Sequence, residues 1–120
     1  MNEHGFEAVR AQIENNAETT RELMKDLGYV SATLEELKLS ARELEKVCYA
    51  KPEDDAAFFK ASRNDGTEVR VLIKFRPDRY FAADIFSPAF GRGCRGNHDF
   101  SWDELKYQLE IAKKDPAQND

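Results

Sequence analysis

Apolar residues recur every three or four positions from Glu3 to Leu27, a spacing that predicts one helix with a single apolar stripe. Gly28 then provides the left-handed residue that commonly ends a helix. Two polar residues, Asn16 and Thr20, interrupt the stripe. A polar residue in such a seam can fix the register of a coiled coil, so one option is a homodimer through this helix. The other option is that the stripe packs on its own domain.

A second helix is predicted to begin after Thr33, because Thr33 and Glu36 have the spacing of a capping box. Apolar residues continue at helical spacing to Cys48, which predicts a helix that ends near Tyr49 and a buried Cys48 thiol. The connection between the two helices is short, so we expect an antiparallel helical hairpin over residues 3–49. Pro52 and the acidic residues after it end the hairpin.

Residues 57–87 contain three runs rich in β-branched and aromatic residues, joined by turn sequences at residues 64–66 and 77–79. This pattern predicts a three-stranded antiparallel meander. Residues 88–100 are rich in glycine, and we expect them to form a loop. A capping box at Ser101 opens a final helix over residues 102–114. The predicted fold is therefore α+β, in the order ααβββα, within one domain of residues 1–120.

The register of the meander follows from the pairing that keeps apolar residues on one face. With residues 64–66 as a three-residue loop, Phe59 lies opposite Val71. The second turn then places Val71 opposite Ile85. A shift of the last strand by one residue would put Asp84 into the core, which is costly without a partner.

The opposite face of the meander collects aromatic and basic residues, with Asp84 within reach of Arg70 or Lys74. Aromatic residues and arginine contribute most of the binding energy at protein interfaces. We therefore expect this face to contact a partner, together with two arginines of the following loop. The open alternative is that one of the three helices covers part of the face, so that Phe58 and Leu72 are core residues and only the arginines and Tyr80 at its rim remain for binding. The predicted partner-binding residues are Phe58, Arg70, Lys74, Arg76, Tyr80, Phe86, Arg92 and Arg95.

The charges of this 120-residue chain are segregated. The net charge is −5, but residues 1–56 have a net charge of −6 and residues 57–100 have +3. With 41% hydrophobic and 34% charged residues and no long apolar run, the composition is not that of a membrane protein or of a disordered chain. Residues 1–4 lack the features of a secretory signal, so we expect a cytoplasmic protein.

The two cysteines, Cys48 and Cys94, lie 46 positions apart and fit neither a disulfide scaffold nor a zinc ribbon. We expect reduced thiols, and a single bridge between them is the open alternative. Cys94 and His98 have the residue types of a nucleophile and a base, or of two metal ligands. The chain has only one further residue of each type, so we expect neither a catalytic pair nor a metal site.

Residues 91–96 match the glycine pattern of dinucleotide-binding loops. The structural context of such a loop is not predicted here. In dinucleotide-binding folds the last glycine lies in the first turn of the helix, whereas the next helix of this chain begins at its own cap, Ser101, and no second strand follows it. We therefore expect no cofactor. A second interpretation is an anion site formed by the loop amides with Arg92 and Arg95.

No catalytic motif accompanies these features, which favours a non-enzymatic protein-binding module, such as an inhibitor or regulator of a larger cytoplasmic complex. Machinery that handles nucleic acid is a natural target, because an acidic helical surface can occupy a groove meant for phosphates. The alternative is direct binding of nucleic acid by the basic and aromatic sheet face and residues 91–96. The negative net charge weighs against this alternative.

Overall fold

The computed structural model describes residues 3–51, 56–77, 80–91 and 94–114, and the side chains from residue 7 onward. Its centre is a five-stranded antiparallel sheet in which each strand pairs with the next one along the chain. Within the described ranges, no helix is long and apolar enough to cross a membrane. The strands are β1 (Val30–Ala32), β2 (Ala56–Ser62), β3 (Glu68–Lys74), β4 (Phe81–Phe86) and β5 (Cys94–Phe100). The helices are α1 (Glu3–Asp26), α2 (Leu34–Leu37), α3 (Ala41–Glu45) and α4 (Trp102–Ala112), with a 3-10 turn at Pro88–Phe90.

The α+β class is confirmed, but the order ααβββα is wrong, because two further strands extend the meander. At one edge β1 pairs with β2, and Val30 lies opposite Lys60. At the other edge β5 pairs with β4, and Cys94 lies opposite Phe86. Strand β5 occupies half of the segment predicted as a loop at residues 88–100. Its glycine and polar residues have low strand propensity, so only the pairing with β4 identifies it.

The pairing of the three central strands is the predicted one. Phe59 lies opposite Val71, and Val71 lies opposite Ile85. Gly66, in the turn between β2 and β3, has a φ of 86°, a conformation that glycine adopts without a steric penalty. One face of the sheet is therefore apolar, and α1 and α4 cover it. The buried residues that these two helices contribute are Ala17, Met24, Leu105, Leu109 and Ala112.

Helix α1 has nearly its predicted length, and its polar inward residues have partners within the same chain. The Asn16 side-chain amide donates a hydrogen bond to the carbonyl oxygen of Arg76 over 2.8 Å. The hydroxyl of Thr20, which is buried, donates to the carbonyl oxygen of Asn16. The interruption of the apolar stripe is thus satisfied inside the domain. A homodimer through α1 stays a prediction, and it no longer follows from Asn16.

The predicted second helix is wrong beyond its first turn. The capping box of Thr33 and Glu36 is present, but Lys38 has a φ of 51° in the left-handed region and ends α2 after four residues. Ser40 then caps α3 through a second capping box with Glu43. The apolar spacing continues through this second capping box and therefore predicted one uninterrupted helix. Two short helices therefore replace one long helix.

The predicted helical hairpin is also wrong, because α1 and the two short helices lie on opposite faces of the sheet. Strand β1 forms the edge between them and carries the chain from one face to the other. Leu37 of α2 packs with Ala50, Leu72 and Phe86 in a second apolar cluster, separate from the cluster under α1 and α4. Both faces of the sheet are thus covered.

Helix α4 is anchored near its end by side chains from three distant segments. The Tyr29 hydroxyl donates to the carbonyl oxygen of Leu109 over 2.7 Å, and the Ser87 hydroxyl donates to that of Ala112. The buried guanidinium of Arg63 donates to the carbonyl oxygen of Lys114. The last carbonyl groups of a helix have no partners within the helix, so Tyr29 and Ser87 satisfy two of them and Arg63 binds the chain just after the helix. Burial also raises the pKa of Tyr29, which keeps its hydroxyl protonated as a donor.

Candidate partner-binding surface

The sheet face predicted to contact a partner is largely covered by the segment from α2 to Ala50. Phe86 is only 4% exposed and packs against Leu72 in the second apolar cluster. Phe58 is half-buried at the border of the same cluster. This corrects the expectation of an open aromatic face. The strand pattern showed that both faces carry large apolar residues, and the second face needed a cover of its own.

Arg70, a further predicted binding residue, holds α3 against the sheet. Its guanidinium donates two hydrogen bonds to the carboxylate of Glu43, and it lies 5.8 Å from the ring centre of Phe86. Burial raises the pKa of Glu43, but hydrogen bonds from Arg70 and Ser40 outweigh it, so the pKa lies below its usual value. Arg70 is therefore engaged in an ion pair within the chain.

Asp84 is fully buried between the sheet and the segment that follows α3. Its Oδ2 accepts hydrogen bonds from the backbone N–H groups of Tyr49 over 3.3 Å and Ala50 over 3.0 Å. Its Oδ1 accepts one from the backbone N–H of Cys48 over 3.3 Å. Arg70, one of the two predicted partners of Asp84, binds Glu43 instead. Every residue except proline has a backbone N–H group, so a sequence pattern cannot predict which of these groups bind Asp84.

Gly96 of β5 lies opposite Asp84 and makes room for its carboxylate. A Cβ atom at Gly96 would lie 2.4 Å from Oδ1 of Asp84 and 3.7 Å from the ring of Tyr49. The first distance is shorter than two non-bonded atoms tolerate, so any side chain at this position displaces the carboxylate. The glycine that the sequence assigned to a loop is a packing requirement of the strand.

An accessible part of the same face remains at its rim, and we call Tyr49, Lys74, Arg76, Tyr80 and His98 the rim patch. Tyr49 is 37% exposed, His98 is exposed, and the other three are half-buried. The ring centres of Tyr49 and His98 are 4.8 Å apart. The guanidinium of Arg76 donates to the carbonyl oxygen of His98 over 2.7 Å. Lys74 ends β3 two positions after Leu72 and so lies on the face of the second apolar cluster.

The rim patch is held in place by contacts with its surroundings. Asp99 accepts a hydrogen bond from Arg76 over 3.2 Å and lies 3.0 Å from Nε2 of His98. Asn16 of α1 binds the carbonyl oxygen of Arg76, and Asp84 binds the backbone N–H of Tyr49. Side chains that are already ordered lose less conformational entropy when they bind. The patch is therefore prepared for a contact before any partner arrives.

The structure does not bring the predicted loop arginines to the rim patch. Arg95 lies opposite Ile85, which faces α1 and α4, and its guanidinium lies 5.1 Å from the ring centre of Phe90. Arg92 lies outside the described residues. The predicted anion site needs both arginines, so it is outside what the structure describes. Of the predicted binding residues, Arg76 contacts His98 at the rim, and we assign Lys74 and Tyr80 to it by the alternation of β3 and β4.

Cys94 and His98 do not meet as a catalytic pair. The thiol of Cys94 donates a hydrogen bond to Oδ1 of Asp84 over 3.8 Å, whereas His98 contacts Tyr49 and Asp99. Burial, together with the charge of Asp84, raises the pKa of Cys94 to about 12, so its thiol is protonated at neutral pH and is a poor nucleophile. Among the described residues, no three His, Cys, Asp or Glu side chains are grouped so that they could hold a metal ion.

Cys48 is exposed, which contradicts the prediction of a buried thiol on a helix. Helix α3 ends at Glu45, so Cys48 lies in the irregular segment that crosses the sheet. Its backbone N–H points to Asp84, and its thiol donates to the carbonyl oxygen of Lys46 over 3.1 Å. Both cysteines of the chain are free thiols, as expected.

Comparisons with known proteins do not assign this chain to a family. No family model matches it, and no curated protein or solved structure is significantly similar to it. The class that the structure defines is an α+β protein with a five-stranded antiparallel meander covered on both faces. Its function has to be inferred from the geometry of its surface.

Proposed function

We propose that this protein is a non-enzymatic binding module that regulates a larger cytoplasmic complex by contacting a protein partner through the rim patch. The arrangement of Arg76, His98 and Tyr49 is the observation that carries the proposal. An arginine beside accessible aromatic rings is the residue combination that dominates binding energy at interfaces. The cytoplasm is the proposed compartment, because free thiols such as Cys48 stay reduced there.

The chemistry of the rim patch favours a partner with carboxylate or carbonyl groups beside an apolar residue. Arg76 and Lys74 supply positive charge to the patch, and Arg76 forms an ion pair with Asp99. Tyr49 and Tyr80 add rings that combine an apolar body with a hydroxyl group. A surface of this kind binds a mixed polar and apolar epitope better than a purely apolar helix.

Direct binding of nucleic acid is the second candidate function, and several residues that the sequence suggested for it are not available on the surface. Arg70 is engaged by Glu43, and Arg95 lies towards the other face of the sheet. Phe86 is buried and cannot stack on a base. If the protein binds random single strands, the complex should be strongest at about 50 mM salt and weaken steeply as salt is raised. The absence of binding at low salt would eliminate this candidate.

Affinity capture from the lysate of the source cell tests the protein-binding proposal when four variants are compared. Arg76→Glu and Tyr80→Ala alter the rim patch, and Lys106→Glu and Tyr107→Ala make the same kinds of change on the exposed side of α4. We expect a stoichiometric partner that the two rim variants lose and the two α4 variants keep. A partner that both rim variants retain, or that the α4 variants lose equally, would contradict the proposal.

A further inference from the structure

The two cysteines of the chain, far apart in sequence, meet at the carboxylate of Asp84. The thiol of Cys94 donates to Oδ1 of Asp84 over 3.8 Å, and the backbone N–H of Cys48 donates to the same oxygen atom over 3.3 Å. The thiol of Cys48 donates to the carbonyl oxygen of Lys46 over 3.1 Å, within the same short segment. The fold thus makes Cys48 and Cys94 neighbours on facing segments, with the backbone of one and the thiol of the other at the same oxygen atom.

The two thiols differ in accessibility, which gives them different chemical roles. Cys48 is exposed and belongs to a short segment without helix or strand. Cys94 is half-buried on β5. An exposed thiol is the one that a reagent in solution reaches first, and a half-buried neighbour can only react with what that first thiol presents. An irregular segment can also adjust its backbone to the narrow geometry that a disulfide requires.

We propose that Cys48 is a thiol-modification site for low-molecular-weight disulfides, such as oxidised glutathione, and that Cys94 is its resolving cysteine. The Cys48 thiolate attacks one sulfur of oxidised glutathione, the bond between the two glutathione sulfurs breaks, and the first glutathione leaves with the proton that Cys48 released. Because the Cys94 thiol is protonated at neutral pH, Oδ1 of Asp84 takes its proton as the sulfur of Cys94 attacks the sulfur of Cys48 in the mixed disulfide. The second glutathione leaves and takes up the proton of Cys94, which passes by way of Oδ1 of Asp84.

In this sequence the protein is oxidised by the loss of two hydrogen atoms, and one molecule of oxidised glutathione is reduced to two of glutathione. The new bond joins the irregular segment that carries Tyr49 to the strand that carries His98. These two rings already touch in the reduced protein. The reaction itself does not depend on what the rim patch binds, so it stands apart from the proposed function.

Intact-mass spectrometry of the folded, reduced full-length chain after incubation with oxidised glutathione tests the inference. We expect the wild-type mass to fall by two hydrogen atoms, and a proteolytic digest to contain a peptide pair that links Cys48 to Cys94. Cys94→Ser should stop at the mixed disulfide and gain the mass of one glutathionyl group. Cys48→Ser should stay unmodified, because Cys94 is half-buried. Circular dichroism confirms that each sample is folded before the reagent is added.

Three outcomes would overturn the inference. Wild-type protein that stops at the mixed disulfide, as Cys94→Ser does, would show that Cys94 cannot resolve it. Glutathionylation of Cys48→Ser at the rate of wild type would show that Cys94 is the reactive thiol. A disulfide between two chains, detected by gel electrophoresis without reductant, would show that the facing segments do not close on each other.

Discussion

Replacing Asp84 by Asn converts one buried oxygen acceptor into an amide donor with almost no change in volume. Four groups donate to this side chain, namely the backbone N–H groups of Cys48, Tyr49 and Ala50 and the thiol of Cys94. The remaining oxygen of Asn can serve the donors of Tyr49 and Ala50, which the same oxygen of Asp84 binds now. The new amide group then faces the N–H of Cys48, and because both groups are donors no hydrogen bond forms between them.

The cost follows from these contacts. One buried donor loses its acceptor, at about 1–3 kcal/mol. The two remaining bonds no longer end on a carboxylate, and each loses about 1 kcal/mol, the difference between bonds to charged and to neutral groups. We therefore expect Asp84→Asn to lower the free energy of unfolding by about 3 kcal/mol. That is a large part of the roughly 5–15 kcal/mol that stabilises a domain of this size.

Urea denaturation of wild type and Asp84→Asn measures this loss, and amide hydrogen exchange locates it. We expect the amides of Cys48, Tyr49 and Ala50 to lose protection first, because the segment is released from the sheet. Asp103→Asn is the matched control, since Asp103 is exposed on the first turn of α4, and it should cost less than about 1 kcal/mol. An Asp84→Asn protein as stable as this control, with unchanged protection at these amides, would refute the reasoning.

Three further changes probe other parts of the account. Arg63→Met removes the buried guanidinium that binds the carbonyl oxygen of Lys114. We expect the free energy of unfolding, measured by urea denaturation, to fall by about 2–3 kcal/mol. An unchanged midpoint would show that α4 does not need this anchor. Gly96→Ala should cost about 2 kcal/mol or more in the same assay, because its Cβ displaces the buried carboxylate; a neutral effect would mean that β5 can shift freely. Glu43→Gln tests the ion pair with Arg70. The pKa of Glu43 is lower in the folded protein than the usual 4.5, so its contribution is present above that pH and is lost as the pH falls through the lower folded value. Thermal unfolding should therefore show wild type as the more stable protein at neutral pH and a smaller difference at about pH 3, and a difference independent of pH would contradict this role.

The sequence was sufficient for the parts of the fold that depend on repeated patterns. Alternation of apolar residues gave the pairing of Phe59, Val71 and Ile85, because only this register keeps apolar residues together on one face of the sheet. Helical spacing gave α1. The two edge strands were not predicted. Strand β1 is only three residues long, which is too short for a periodic pattern. Strand β5 contains glycine and polar residues of low strand propensity, and it forms because it pairs with β4.

The covering of the second sheet face could not be read from spacing alone. Apolar residues continue at helical intervals through Lys38, and nothing in that pattern shows that Lys38 adopts a left-handed conformation. The second capping box, at Ser40 and Glu43, was the available signal for a new helix.

The rim patch was predictable in part. Lys74, Arg76 and Tyr80 followed from the alternation of the central strands and their turn. Tyr49 and His98 were missed, since the first was assigned to a helix and the second to a loop. Their contact depends on Asp84, which fixes the backbone of Tyr49 through hydrogen bonds that no residue pattern encodes.

Site-specific photocrosslinking in the source cell tests the proposed binding surface most directly. A photoreactive phenylalanine derivative replaces Tyr49 in the rim patch or, in a matched chain, Tyr107 on α4, which is 60% exposed and so is at least as accessible. We expect a discrete crosslinked product from the Tyr49 position that Arg76→Glu abolishes, and no such product from the Tyr107 position. Products of equal yield from both positions, or a product from the Tyr107 position alone, would contradict it.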